Sequence, residues 1–203
     1  MKLFLDTETT SRWYPNLPNN HPDQPHIVQL ALYFTDDEDN FLESGQWIIK
    51  PQDWIISSEA EAVHGITQEY AIKAGDDIKE VLTHFNRIVN RCNTDFAPSY
   101  AIAHNIRFDT NVLLRELVHN GFGVGTYSML RPFCTMTALT KRMNLRRVGT
   151  RYARPKFPTL DEAYQYCFQR GVPGREEGIH RAMNDTLACR DIYLHGRDKG
   201  WWR

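Results

Sequence analysis

"LFLDTETTS", residues 3–11, opens the chain with an apolar run that ends in two carboxylates, Asp6 and Glu8, one residue apart. Side chains of an extended strand alternate between faces, so Asp6 and Glu8 share one face while Leu3 and Leu5 fill the other. Lys2 to Thr7 therefore reads as a first strand. "IVQLALYF" (27–34) reads as a second, and Phe41 to Lys50 as a third beyond the acidic turn "DDEDN", which makes a meander. In "DDIKEVLTHFNRIVNRC", Ile78, Val81, Leu82, Phe85, Ile88, Val89 and Cys92 recur at helical spacing. A strand at Tyr100 to Ala103 precedes a helix from about Phe108 to Asn120, stopped by Gly121. A second strand and helix fill Pro132 to Met143, and two more helices are expected near Thr159 to Arg170 and Arg181 to His195. Three antiparallel strands followed by alternating strands and helices give an α/β domain with a mixed sheet flanked by helices.

Composition bounds the rest. The 203 residues, 41% hydrophobic, suffice for one core, so a single domain over 1–203 is expected, with a Pro-rich loop at 10–25 and a basic loop at 141–158. Lys plus Arg number 24 against 25 for Asp plus Glu, so no global charge field points to nucleic acid or membrane, and any such contact is local. The four cysteines show no C-x-x-C and no zinc-like spacing with histidine, which reads as reduced, buried thiols in a cytoplasmic protein. Too few apolar residues precede Asp6 for a signal peptide, and no run approaches membrane-spanning length.

The acids raise the chemical question. Asp6 and Glu8 repel each other, and solvent, a basic partner or a divalent metal could compensate. In "AHNIRFDTNVLL", Asp109 stands between a strand and a helix, where it could simply cap the first turn. In "HRAMNDTLACRDIY", Asp185 falls in the apolar stripe of its helix with Ala182, Ala188, Cys189 and Ile192, so it needs a partner. His180 lies five residues earlier, off that face, in the loop leading into the helix.

Together these stretches resemble the DEDDh exonucleases of the ribonuclease H-like fold, the family of the proofreading subunit of bacterial replicative polymerase. Asp6 and Glu8 match its D-x-E motif. His104, Asn105, Phe108 and Asp109 match H-N-x-x-F-D, and His180 with Asp185 matches H-x-x-x-x-D. "VHGIT" (63–67), with His64, is similar to a segment that lines the terminal-nucleotide pocket in relatives. The resemblance implies a 3′-to-5′ exonuclease that uses two divalent ions, Mg²⁺ or Mn²⁺, to release 5′-mononucleotides from single-stranded ends. Asp6 would bridge the ions, Glu8 and Asp185 would hold the ion carrying the nucleophilic water, Asp109 would hold the other, and His180 would be the general base. In the tyrosine variant of the family a Tyr stands four residues before the last acid; that position here is Arg181. The Gly that commonly follows T-T is Ser11, and the Pro-rich loop lengthens the rim of the site.

Substrate contacts are expected from Thr7 and Thr9 near the 3′ hydroxyl and from Asn105 and Phe108. They are also expected from the segment Lys141 to Pro158, which holds seven basic residues, Arg146, Arg147 and Arg151 among them, and no acid. Tyr152 and Phe157 are interleaved there and could stack on bases. The partner expected is single-stranded DNA before RNA, with a DNA polymerase as a further partner. The alternatives are an RNA-trimming or short-oligonucleotide nuclease on the same site, and a non-catalytic binding module on the same fold. "WWR" at 201–203 reads equally as a packing anchor or an exposed patch.

Overall fold

The computed structural model describes residues 1–92, 99–146, 154–175 and 179–202. Five strands form one sheet in the order β3-β2-β1-β4-β5: β1 (Lys2–Thr9), β2 (Ile27–Thr35), β3 (Phe41–Ile48), β4 (Tyr100–Ala103) and β5 (Arg131–Cys134). β1 pairs antiparallel with β2, and β2 with β3; β4 runs parallel to both β1 and β5. The mixed α/β architecture read from the sequence is the one observed. A central strand buries both faces, which is why β1 is apolar at Leu3, Phe4 and Leu5 in succession.

Helices cover both faces. On one lies α3 (Ile78–Cys92), whose seven apolar positions are all buried, and they pack in one cluster with Leu3 and Leu5. On the other lies α8 (Ala182–Asp198), packed on β1, β2 and β4, with Cys189 and Tyr193 meeting Phe4 and Ile102. α4 (Ile106–His119), α6 (Thr135–Met143) and α7 (Leu160–Phe168) complete the layers. α7 carries a full capping box between Thr159 and Glu162. Three short helices escaped the periodicity argument: α1 (Ser58–His64), α2 (Gln68–Ala74) and α5 (Gly125–Ser128). Two of them had a local signal, since Ser57 and Thr67 cap their first turns through their hydroxyls.

Two expectations need correction. Only Cys92 and Cys189 are buried, while Cys134 and Cys167 are half-buried; all four are free thiols. α4 begins two residues before Phe108, so Asp109 lies inside its first turn and is no N-cap; the cap position is Asn105, left-handed at φ 77° and without a side-chain cap bond. The C-terminal Trp pair is a packing anchor: the Trp202 indole donates to the Tyr193 carbonyl, and its ring lies over Gly196, where a side chain would collide. Among the described residues, no helix is long and apolar enough to cross a membrane.

Candidate active site

The parallel pairing of β1 and β4 brings their carboxyl ends to the same edge of the sheet, the usual place for a site in an open α/β fold. Asp6 and Glu8 project there on the α8 side. A register shift between Glu8 and Thr9 marks a bulge at the end of β1, where the strand turns away from regular pairing. From the end of β4, the tight turn at His104–Asn105 starts α4. Helical side chains lean back toward the N-terminus, so Asp109 reaches β1, where its Oδ1 accepts from the Thr7 amide at 3.0 Å and the Thr7 hydroxyl at 2.9 Å.

The last acid arrives on α8. The amide of Ala182, at the start of that helix, donates to Oε1 of Gln29 at 2.9 Å, and Gln29 is the cross-strand partner of Glu8. This bond sets the first turn of α8 over the end of β1 and leaves Asp185 buried. The preceding loop is tied to the turn after α1: the His180 amide donates to the Val63 carbonyl at 2.9 Å, and the Arg181 guanidinium donates to the His64 carbonyl. Gly65, left-handed at φ 65°, closes α1 beneath Arg181. His180 remains half-exposed, with Nδ1 3.2 Å from Asp185 Oδ2. Ligand atoms of Glu8, His180 and Asp185 all lie within 4.8 Å of one another.

The electrostatics follow from this crowding. Burial, then the charges of Asp185, Asp109 and Glu8, push the Asp6 carboxyl well above its ordinary range. Burial and Asp185 push Glu8 up to about 7, against the pull of His180 and Arg175. Burial raises Asp109 to about 7 even though Thr7 hydrogen bonds favour its charged form. His180 is raised by its bond to Asp185, opposed by burial and by Arg175.

A stability prediction follows. Acids with folded-state pKa values above their unfolded ones hold extra protons when folded, so they favour the native state at low pH and oppose it as pH rises between the two values. His180 has the same sign, because a raised histidine loses its stabilisation as pH climbs through its folded pKa. In chelator, the melting temperature should therefore fall by several degrees between about pH 5 and pH 8, at ~2–4 °C per kcal/mol for a chain of this size. A flat or rising profile in thermal melts would contradict the mutual repulsion of these acids.

Beside the acids opens a pocket of about 590 Å³. Four expected residues line it, Glu8, Thr9, His64 and Phe108; so do Arg12 and Tyr14 of the Pro-rich loop, which were not singled out. His64 is buried and, pushed down to about 4 by desolvation, neutral; its Nδ1 accepts from the Ile66 amide at 3.0 Å. Thr7 points instead to Asp109, and Asn105 is exposed at its turn, outside the pocket wall. His104 braces the strand–helix junction between the Thr135 hydroxyl (2.9 Å) and the Pro158 carbonyl (3.0 Å).

The basic segment is less free than its charge count suggests. Lys156 pairs with Glu162 and the Arg142 guanidinium stacks on Trp201, which leaves Lys141, Arg146 and Arg154 as the other described basic residues, all exposed. Phe157 is exposed. Arg147, Arg151 and Tyr152 lie outside the described residues. Two contributors to the site carried no motif: Gln29, an ordinary strand residue until α8 docks on it, and Arg175, whose only signal is that buried acids need a cation.

The RNase_T family model, described as "Exonuclease", matches residues 3–193. No curated protein sequence matches the chain. Among solved structures, E. coli Exonuclease I in complex with a 5cy-dA13 oligonucleotide is similar at 21% identity and a TM-score of 0.67, over 97% of this chain and 40% of that one. The zinc-bound form of its single-stranded DNA complex gives 20%, 0.70, 98% and 40%. The structure said to suggest how processivity is achieved gives 20%, 0.70, 97% and 40%. At this identity the likeness is one of fold, and the chain spans about two fifths of the length of Exonuclease I.

Proposed function

Because the chain belongs to the exonuclease family whose model spans residues 3–193, we propose that it is a metal-dependent 3′-to-5′ exonuclease of the DEDDh type acting on single-stranded DNA. One observation carries the reading: Asp6 and Glu8 of β1, Asp109 of α4 and Asp185 of α8, from three distant stretches of sequence, converge at one edge of the sheet with His180 beside them and a pocket alongside. The solved Exonuclease I complexes hold single-stranded DNA oligonucleotides, which supports the choice of substrate.

The residues present fit divalent cations. Four carboxylates supply hard oxygen ligands suited to Mg²⁺ or Mn²⁺, and their repulsion is the cost of leaving them without one. Asp6, Glu8, Asp109 and Asp185 would hold two ions, which supply charge stabilisation at both the attacking and the leaving oxygen of an in-line displacement. The protein's own share is positional. The pocket, lined by Thr9, Phe108 and the loop residues Arg12 and Tyr14, takes the terminal nucleotide, and His180 removes a proton from the attacking water.

The test is digestion of end-labelled single-stranded DNA, duplex DNA and RNA in Mg²⁺, Mn²⁺ or chelator. Stepwise shortening of single-stranded DNA from its 3′ end in either metal, and none in chelator, is the expected result. Absence of shortening in both metals would end the proposal, and a clear preference for RNA would reassign the substrate. Neutralising Arg146, Arg147 and Arg151 together should raise KM severalfold and flatten its salt dependence, with little change in kcat, because phosphate contacts release counterions. An unchanged salt slope would return this segment to a solvated loop.

A further inference from the structure

Arg175 lies in the middle of the acid cluster with its side chain only 5% exposed. Its Nε donates to Asp185 Oδ1 at 2.8 Å and its Nη2 to Oδ2, a two-pronged grip on the carboxylate. Nη1 reaches Asp161 Oδ2, and Nη2 also lies 3.0 Å from Nδ1 of His180. The backbone beneath is fixed. Gly174, left-handed at φ 75°, packs against Asn184 of α8 where a Cβ would collide, and Asn184 donates to its carbonyl at 2.9 Å. The guanidinium thus takes both oxygens that a divalent ion at Asp185 would use, from an anchored base.

We propose that Arg175 is a tethered cation that competes with the divalent metal for Asp185, so that the site loads only as the guanidinium is displaced. This rests on the metal-site reading above. Asp161, exposed at the rim, helps hold the guanidinium in this seat through its contact with Nη1.

His180 reports the same exchange. Its Nδ1 faces Arg175 Nη2 at 3.0 Å and Asp185 Oδ2 at 3.2 Å. A guanidinium only donates, so that contact needs a bare Nδ1 and leaves the proton of a neutral ring on Nε2. A carboxylate only accepts, so the other contact needs Nδ1–H and leaves Nε2 bare. The neutral ring satisfies one at a time. With Arg175 in place Nε2 carries the proton and accepts none; with Arg175 displaced, Asp185 takes Nδ1–H and Nε2 is free to act as a base.

Calorimetric titration of Mn²⁺ into the parent, Arg175→Met and Asp161→Asn, without nucleic acid, tests the competition. Arg175→Met should bind Mn²⁺ roughly tenfold to a hundredfold more tightly, the span set by charge-assisted hydrogen bonds. Asp161→Asn, which loosens the grip from an exposed position, should bind severalfold more tightly and decides the matter if Arg175→Met does not fold. Equal or weaker binding by the variants, with the parent binding, overturns the competition and leaves the metal site standing. No Mn²⁺ binding by any of the three overturns both. In the parent, at a pH where the ring is neutral, the imidazole ¹⁵N spectrum of His180, assigned by its loss in His180→Gln, should show Nε2–H in chelator and Nδ1–H in Mg²⁺; one tautomer in both conditions overturns the exchange.

Discussion

Asp6→Asn is expected to lose at least about a thousandfold in turnover while folding normally, a barrier increase of ~4 kcal/mol. Asp6 feels Asp185, Asp109 and Glu8 at once, so it is the carboxylate best placed to be shared between two ions. The same crowding makes its charge a burden on the metal-free fold. Removing it relieves repulsion, so the variant should melt in chelator at or above the parent's temperature. Turnover on labelled single-stranded DNA, paired with thermal melts, checks both halves. Near-normal turnover would take Asp6 out of the metal-binding set.

His180→Ala is expected to lose roughly two to four orders of magnitude in turnover, the range of a positioned acid or base, with Mn²⁺ binding retained. A protonated imidazole accepts no proton, so the parent's activity should fall as pH drops through the pKa of His180. The bond to Asp185 places that limb above the ordinary value near 6.5. The variant should lose the limb along with the rate. Arg181, at the position where the tyrosine variant of the family places its base, donates to the His64 carbonyl and, as a guanidinium, has no lone pair with which to take up a proton. If His180→Ala keeps both its rate and its acid limb, the base lies elsewhere.

The sheet was legible because its signals are local. Short apolar runs bounded by turn signals located β1 and β2 to within two residues of their ends, and the seven apolar positions of α3 all face the core. The four acids were legible as motifs, and their convergence follows from the parallel pairing of β1 with β4 and the docking of α8. Short helices such as α1 and α2 were missed because one or two turns are too few to show a stripe, although Ser57 and Thr67 marked their starts. The start of α4 was placed two residues late, at Phe108, because the sequence does not show that Asn105 is left-handed and starts the helix early. Arg175 was invisible for another reason: its importance lies in what surrounds it, and three of its four contacts, to Asp185 and Asp161, cross between separate elements.

The pinning of Ala182 by Gln29 joins the last described helix to the second strand, across 153 positions of sequence. Synthesis from the N-terminus delivers Asp6, Glu8 and Asp109 long before Asp185 and His180. A nascent chain that has emerged only as far as α7 holds three of the acids and neither the fourth nor the histidine. The acid cluster is therefore incomplete until α8 has emerged and docked on β2, so the order of synthesis delays its assembly behind that of the sheet.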